Sequence, residues 1–172
     1  MEEETLLKLD LGCGINKREG FTGVDIQKFE GVDIVADLRV TWPWADNSVD
    51  EVTCSNTVEH FTWPERVFFF NELCRVMKKG ATANIVTPAW NNARFYGDPT
   101  HKEPMSEWYA LYLNAEWRKI NAPHTDYTCD FDFTSGGSWD EWLADRNVEF
   151  RTFAMSHYTN AWRDLMITLT KK

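Results

Sequence analysis

The sequence lacks the segments that direct a chain to or across a membrane. Acidic residues occupy its first positions, where a signal peptide carries basic ones, and no apolar run is long enough to span a bilayer. It also lacks paired cysteines, because Cys13, Cys54, Cys74 and Cys129 show neither CxxC spacing nor a histidine partner at zinc-site spacing. We therefore expect a cytoplasmic protein with reduced thiols, no membrane association and no metal site.

Basic residues are also scarce, and the formal net charge is −9. Adjacent lysine and arginine residues occur only at positions 17–18, 78–79, 118–119 and 171–172. Binding to nucleic acid depends on stripes of lysine and arginine that displace counterions, so the charge disfavours a nucleic-acid partner. A small-molecule or protein partner fits better, and the composition gives no indication of the oligomeric state.

The length of 172 residues is typical of one domain, which we place at residues 1–172. Hydrophobic residues make up 43% of the chain and charged residues 26%, a balance typical of globular proteins. Aromatic residues are frequent at 15%, which indicates either a large aromatic core or a pocket lined with rings. The core is the simpler interpretation.

The stretch from residue 6 to residue 25 reads as a strand, a glycine turn and a second strand. Leucines alternate with polar residues up to Leu11, and Gly12 and Gly14 then end the strand. Glycine permits positive φ angles and lets another molecule approach the bare backbone. Asp25 ends the second strand. On a parallel sheet, the turn and Asp25 would share the carboxyl edge, where α/β folds bind ligands.

These motifs resemble those of the class I S-adenosylmethionine-dependent methyltransferases. The resemblance rests on DLGCG at 10–14, GVD at 23–25, VADL at 35–38, DNSVDEV at 46–52 and SNTVEH at 55–60, which stand in the family's order and spacing. It covers residues 6–88. One glycine-rich turn would be weak evidence, whereas several motifs in the right order are specific.

The resemblance implies an α/β fold of the three-layer Rossmann-like methyltransferase type. Its sheet would be mostly parallel, with strand order 3-2-1-4-5-7-6 and an antiparallel last strand. The implied cofactor is S-adenosyl-L-methionine, with S-adenosyl-L-homocysteine as product. The implied reaction moves a methyl group to an O or N atom of a small-molecule or protein acceptor.

The family's cofactor-binding positions carry over to ten residues of this chain: Asp10, Gly12, Cys13, Gly14, Asp25, Ile26, Asp37, Leu38, Ser55 and Asn56. An ionised carboxylate at Asp25 has two acceptor oxygens in one plane, which suits a ribose diol. The resemblance places Asp37 at the adenine amino group. Either acid could instead cap a following turn, as aspartate commonly does.

Two histidines are candidate catalytic bases. His60 follows the fourth predicted strand near the carboxyl edge of the sheet, and His101 lies in a polar loop after the fifth. Histidine suits general-base chemistry because its ordinary pKa is about 6.5. Each also has a structural interpretation, since Glu59 could orient His60 and Asp98 could fix His101 in a turn. The sequence leaves both interpretations open.

Several local features complete the prediction. Residues 15–20 are too few for a covering helix between the first two strands, and Asn16 replaces the family's third glycine. Thr62 and Glu65 predict a capping box that opens a helix ending at Gly80.

Helices are also predicted at 105–113 and 138–146, and an antiparallel hairpin at 148–158 and 164–170. Tryptophans 42 and 44 could cover an adenine or seal the sheet edge.

Three other functions are weighed against methyl transfer. A nicotinamide-dependent oxidoreductase needs a GxGxxG turn running into a helix, and the sequence has neither. A methyltransferase acting on nucleic-acid bases is disfavoured by the acidic charge and by the lack of an (N/D)PP(Y/F) motif after the fourth strand. A non-catalytic partner protein with the same fold remains the main alternative.

Overall fold

Seven strands form one sheet in the computed structural model, which describes residues 6–172. The strands are β1 (Lys8–Leu11), β2 (Thr22–Asp25), β3 (Ile34–Val35), β4 (Val49–Ser55), β5 (Met77–Pro88), β6 (Phe131–Trp139) and β7 (Trp162–Lys171). Their spatial order is β3-β2-β1-β4-β5-β7-β6. The first five strands pair in parallel, whereas β7 is antiparallel to both β5 and β6. The predicted α/β fold and strand order are confirmed.

Four α-helices accompany the sheet in the described part of the chain. They are α1 (Trp63–Val76), α2 (Ala93–Gly97), α3 (Ala115–Asn121) and α4 (Val148–His157). Short 3-10 helices span Val58–His60, Glu107–Leu113 and Glu141–Leu143. None of the helices in residues 6–172 has the length and apolar character needed to cross a membrane.

The two faces of the sheet differ in polarity. Leu9 and Leu11 alternate with polar neighbours and are fully buried, in one core with Phe69, Phe70 and Leu73 of α1. The opposite face carries polar pairs. One is the Lys8–Glu51 salt bridge of 2.8 Å, and another is the 2.9 Å hydrogen bond that the Thr168 hydroxyl donates to Asn84. This alternation is typical of a sheet with one solvated face.

One face of the sheet is polar because the connections between the first four strands are too short to cover it with a helix. No helix lies between β1 and β4 in the chain from residue 6 onward, and only turns join β1 to β2. The sequence predicted that residues 15–20 would form no covering helix. Asn16 closes the turn by donating its N–H to the Cys13 carbonyl at 3.1 Å, and it does not adopt a positive φ. The carboxyl edge of β1 and β2 is therefore accessible from this side.

The connection from β3 to β4 is held by polar contacts from α1. Glu72 accepts the Trp42 backbone N–H at 2.9 Å, and Arg75 donates to the Trp44 carbonyl at 2.9 Å. Trp42 itself is buried, packs its ring against Phe69 at 5.3 Å, and donates its indole N–H to the Leu38 carbonyl. The tryptophan therefore seals the core and is not an adenine cover.

The predicted capping box forms, since Glu65 accepts the Thr62 backbone N–H at 2.7 Å. The predicted end of α1 at Gly80 is wrong. The helix ends at Val76, and β5 begins at once because Met77 pairs with Val49. Gly80 instead has a φ of +81° inside β5, where the β4–β5 register shifts. Its conformational freedom serves a strand irregularity rather than a helix cap.

The predicted closing hairpin has the wrong first strand. Residues 148–158 contain α4, whose start is capped by the Asn147 side chain accepting the Phe150 N–H at 2.8 Å. The partner of β7 is β6, which includes two glycines and was not predicted. A Cβ at Gly137 would lie 2.2 Å from the Trp162 ring, so this glycine makes room for the ring. The predicted helix at 138–146 is reduced to a 3-10 turn capped by Asp140, because Ser138 belongs to β6.

Candidate functional site

A cavity of about 510 Å³ opens at the carboxyl ends of the first four strands. This is where parallel sheets bind ligands, and the volume is within the usual range for small-molecule sites. Eight of the predicted site residues line it: Gly12, Gly14, Asp25, Ile26, Asp37, Leu38, Asn56 and His60. The other lining residues were not predicted as site residues, namely Gln27, Phe29, Ala36, Arg39, Thr57, Phe61 and Thr100.

The two glycines of the turn have different roles. Gly12 and Gly14 have φ angles of +71° and +52°. A Cβ at Gly12 would lie 2.1 Å from the Thr57 hydroxyl oxygen, so Gly12 leaves room for a side chain of the loop after β4. A Cβ at Gly14 would meet no heavy atom of the described residues within 4 Å, apart from those of its chain neighbours. The open space in the turn is therefore above Gly14.

Asp25 faces this space and is fixed by two backbone groups. Its Oδ2 accepts the Gly14 N–H at 2.9 Å, and its Oδ1 accepts the Gln27 N–H at 2.9 Å. Each carboxylate oxygen has two lone pairs, so both retain acceptor capacity after these bonds. The carboxylate is thus oriented in advance and can still accept hydrogen bonds from a diol.

Asp37 is paired with a cavity residue that the sequence reasoning missed. The Arg39 guanidinium donates to Asp37 Oδ1 at 2.8 Å and to Oδ2 at 2.9 Å, and this pair lowers the pKa of the Asp37 carboxyl. The Arg39 backbone N–H also donates to Oδ1 at 2.9 Å. Asp37 therefore caps its own turn, as one interpretation allowed, while it also lines the cavity. Arg39 follows Asp37 by two residues, and this spacing was the sequence signal for the ion pair.

Asn56 forms a left-handed turn at the end of β4. Its φ is +50°, and its backbone N–H donates to the Val86 carbonyl at 2.9 Å. Asparagine tolerates this conformation better than most residues, and such strained positions often occur at functional sites. The turn directs residues 56 and 57 to the cavity instead of continuing the strand.

Three predicted residues lie beside this cavity and not in its lining. Asp10, Cys13 and Ser55 line an adjacent cavity of about 680 Å³, which shares Gly12, Gly14, Phe29 and Asn56 with the first. Asp10 accepts the Arg18 N–H at 2.7 Å, and burial raises its pKa. Its contact braces the loop that follows the glycine turn.

The two candidate bases lie together. The rings of His60 and His101 are 4.8 Å apart, and His60 lines the cavity whereas His101 does not. The His60 Nδ1 lies 3.1 Å from the Thr100 hydroxyl, and the His101 Nδ1 lies 2.7 Å from the Phe95 carbonyl. The partner of His60 is therefore Thr100 instead of Glu59. Thr100 comes from the same polar loop as His101 and lines the cavity.

Comparisons with known proteins agree with this geometry. Residues 9–85 match the family model described as a methyltransferase domain. The structure aligns over 98% of the chain, at 22% identity and a TM-score of 0.70, with 87% of a SAM dependent methyltransferase from Archaeoglobus fulgidus. The chain has the class I methyltransferase fold. The resemblance noted in its motifs is confirmed.

Two further solved structures share this methyltransferase fold. One is described as a possible histamine N-methyltransferase from Thermotoga maritima, with 15% identity, a TM-score of 0.63 and coverage of 96% of this chain and 82% of that chain. The other is the YcgJ protein of Bacillus subtilis, with 14% identity, a TM-score of 0.62 and coverage of 98% and 93%. A comparison with curated protein sequences gives no match.

A separate aromatic cavity is lined by Trp63 and by residues that follow the matched segment 9–85. It measures about 550 Å³ and is lined by Trp63, Tyr109, Tyr112, His124, Thr125 and Asp126. Tyr109 and Tyr127 share a hydrogen bond between their hydroxyls, and burial raises the pKa of Tyr109 to about 12. The aromatic residues of this methyltransferase fold thus serve both the core and a ring-lined pocket.

Proposed function

We propose that this chain is an S-adenosylmethionine-dependent methyltransferase that binds its cofactor in the 510 Å³ cavity. The observation that carries the proposal is the joint position of Asp25 and Gly14 at that cavity. Asp25 is held in place by the Gly14 N–H at 2.9 Å, and the space above Gly14 is open to a ligand.

In this proposal the adenosyl group lies across the carboxyl edges of β1, β2 and β3. Asp25 accepts hydrogen bonds from the ribose diol, and each charge-assisted bond contributes about 1.5–3 kcal/mol. Asp37 meets the adenine amino group, with Arg39 holding its carboxylate in place. Leu38 and Ile26 supply apolar surface beside the adenine. The remaining predicted residues, Asp10, Cys13 and Ser55, support the turn from the adjacent cavity.

The chemistry would be an in-line displacement at the methyl carbon. A lone pair of the acceptor O or N atom forms the new bond, while the carbon–sulfur electrons stay on sulfur to give S-adenosylhomocysteine. The positive charge of the sulfonium disperses in the transition state, so catalysis depends chiefly on alignment of the two reactants. The acceptor is a small molecule or a protein, and the net charge of −9 disfavours nucleic acid.

His60 is the better placed of the two candidate bases for a protonated acceptor. It lines the cavity, whereas His101 lies behind it with a ring separation of 4.8 Å. A base must come within hydrogen-bond reach of the proton that it removes, so His101 would act only through His60 or after a movement. An acceptor that is already anionic needs no base.

Binding of S-adenosylhomocysteine tests the proposal directly. Titration calorimetry should detect one site per chain, and saturating ligand should raise the melting temperature by mass action. A control variant, Asp145→Ala, changes an exposed acid with no contact to the cavity and should bind as the unchanged protein does. Absence of binding at millimolar ligand contradicts the proposal. Labelled methyl donor incubated with metabolite and protein extracts would then identify the acceptor class.

A non-catalytic partner protein is the second candidate function. The short link between β1 and β2 favours it, because no helix covers that edge within the described residues and cofactor contacts from such a helix are lost. This candidate predicts no thermal shift with S-adenosylhomocysteine and retention of a protein partner. The same calorimetric experiment therefore separates the two functions.

A further inference from the structure

Glu59 is a fully buried acid beside the proposed cofactor cavity. Its Oε2 accepts the Thr87 hydroxyl at 3.1 Å, whereas its Oε1 has no hydrogen-bond partner among the described residues. A buried carboxylate oxygen without a partner is unfavourable, so we expect a water molecule or a cation to contact it.

Two histidine rings lie within reach of this oxygen. One ligand atom from each of Glu59, His60 and His101 falls within 4.8 Å of the other two. The His101 Nε2 is 3.9 Å from Glu59 Oε1 and 3.7 Å from Asp98 Oδ2. Neither distance is a hydrogen bond, so the groups surround a common space without satisfying one another.

The contacts of the two Nδ1 atoms determine which nitrogen of each ring keeps a lone pair. The Phe95 carbonyl can only accept a hydrogen bond, so the His101 Nδ1 at 2.7 Å carries the proton. The Thr100 hydroxyl donates its own hydrogen to Asp98 at 2.6 Å and so accepts from the His60 Nδ1 at 3.1 Å. Both Nε2 atoms are left with a lone pair. Metal-binding histidines are held in this way by a second partner on the other ring nitrogen.

We propose that Glu59, His60 and His101 bind a divalent first-row transition-metal ion at the wall of the cavity. Two imidazoles and one carboxylate favour Zn²⁺ or Fe²⁺ over Mg²⁺ and Ca²⁺, which prefer oxygen ligands. The proposal revises the expectation, based on cysteine spacing alone, that the chain has no metal site.

The site needs only side-chain adjustment to accept an ion. Ligand atoms of a tetrahedral zinc site are about 3.4 Å apart, given bond lengths near 2.0–2.1 Å. The 3.9 Å between Glu59 and His101 is close to that spacing. Asp98 Oδ2 offers a further oxygen, since the Thr100 backbone N–H and hydroxyl engage only its Oδ1.

The position of His60 gives the ion a role in the reaction. His60 and Thr100 both line the cavity, so an ion bound to His60 can place a solvent molecule or an acceptor oxygen there. The metal would then orient an oxygen-bearing acceptor and lower the pKa of its hydroxyl. With the ion bound, His60 would act as a metal ligand instead of a general base. This role rests on the proposed methyltransferase function, whereas the metal binding itself does not.

Metal binding is tested on the full chain after treatment with EDTA. Calorimetry with Zn²⁺ alone should give one site per chain. Glu59→Gln, His60→Asn and His101→Asn should each weaken binding by at least about 10- to 100-fold, the range found when only a supporting partner of a ligand is lost. The matched control, His124→Asn with His157→Asn, removes the chain's other two histidines and should leave the affinity unchanged.

Three readouts keep the outcome unambiguous. Binding of Co²⁺ should give a visible absorption spectrum that Glu59→Gln abolishes, and melting curves without metal show whether each variant folds. The proposal is overturned if the unchanged protein binds no Zn²⁺, or if the folded cluster variants bind as the control does. Calorimetry with S-adenosylhomocysteine in EDTA separately tests the cofactor site, because Asp25 and Gly14 do not contact the ion.

Discussion

Asp25 Oδ2 accepts the backbone N–H of Gly14 at 2.9 Å, and this bond joins the end of β2 to the glycine turn after β1. The two elements that would hold an adenosyl group are thus connected before any ligand binds. A pre-oriented carboxylate loses less freedom on binding than a mobile one. Asp25 therefore supports the glycine turn, and in the proposed function it also holds the ribose.

Asp25→Ala should weaken S-adenosylhomocysteine binding by at least about tenfold. The change removes the proposed acceptor for the ribose diol, and one charge-assisted hydrogen bond is equivalent to about 1.5–3 kcal/mol. Calorimetry measures the effect. Asp25→Asn, which keeps one carbonyl acceptor, should fall between the unchanged protein and the alanine variant. Equal affinity of all three proteins would remove Asp25 from the site.

Gly12→Ala and Gly14→Ala should separate stability from binding. Both changes force alanine into a left-handed conformation, which costs about 1–2 kcal/mol. Only Gly12→Ala also clashes with Thr57, at 2.1 Å, and overpacking adds about 1–3 kcal/mol. Denaturant unfolding should therefore show a larger loss for Gly12→Ala. Gly14→Ala should instead lower the affinity for S-adenosylhomocysteine, because its methyl enters the open space; identical unfolding and binding data would contradict this division.

The sequence identified most of the cavity because its motifs are local. Gly12, Gly14, Asp25, Asp37 and Asn56 lie at the end of a strand or within three residues after it. Parallel pairing brings the ends of these strands to one edge of the sheet, independently of how the strands are connected. Residues that reach the cavity from elsewhere were harder to find. Thr100 arrives from a loop after β5, and its contact with His60 has no sequence signature.

Glu72→Gln should destabilise the protein in a pH-dependent way. Arg75 and the Trp42 N–H hold the Glu72 carboxylate, and the Arg75 hydrogen bonds lower its pKa. A lowered pKa stabilises the folded state above the unfolded pKa of about 4.3, and the contribution is lost as pH falls through the folded value. Denaturant unfolding should show the variant about 1–3 kcal/mol less stable at pH 7, with a smaller gap near pH 3. A constant gap would exclude an ionised Glu72 as the cause.

Arg66→Met should destabilise the segments that carry the histidines. Arg66 is buried and donates to the carbonyls of Val58, Glu103 and Pro104, and so ties the start of α1 to residues on both sides of the cluster. Leaving the buried Val58 carbonyl without a donor costs about 1–3 kcal/mol, and loss of the two partly buried hydrogen bonds adds to this. Thermal unfolding measures it.

Arg118→Met is the matched control for this prediction. Arg118 is also buried and donates to the Tyr112 and Cys129 carbonyls, away from the histidine cluster. It should lower the melting temperature but leave Zn²⁺ affinity unchanged, whereas Arg66→Met should weaken both. Loss of Zn²⁺ affinity in the control would show that general loosening, and not the position of the histidines, is responsible.

The second half of the chain was predicted less well for physical reasons. Residues 148–151 alternate apolar and polar side chains as a strand would, yet Val148 and Phe150 are both exposed on α4. Asn147 is a helix-capping residue and indicated a helix, but the prediction gave more weight to the alternation. Strand β6 was missed because Gly136 and Gly137 argue against a strand in isolation, and only the Trp162 ring explains Gly137.

A crystal structure with S-adenosylhomocysteine bound would show where the adenosyl group lies. We expect both ribose hydroxyls within hydrogen-bond distance of the Asp25 carboxylate, with the adenosyl group above Gly14. A cofactor product bound elsewhere, or an Asp25 side chain turned away from the ribose, would contradict this expectation.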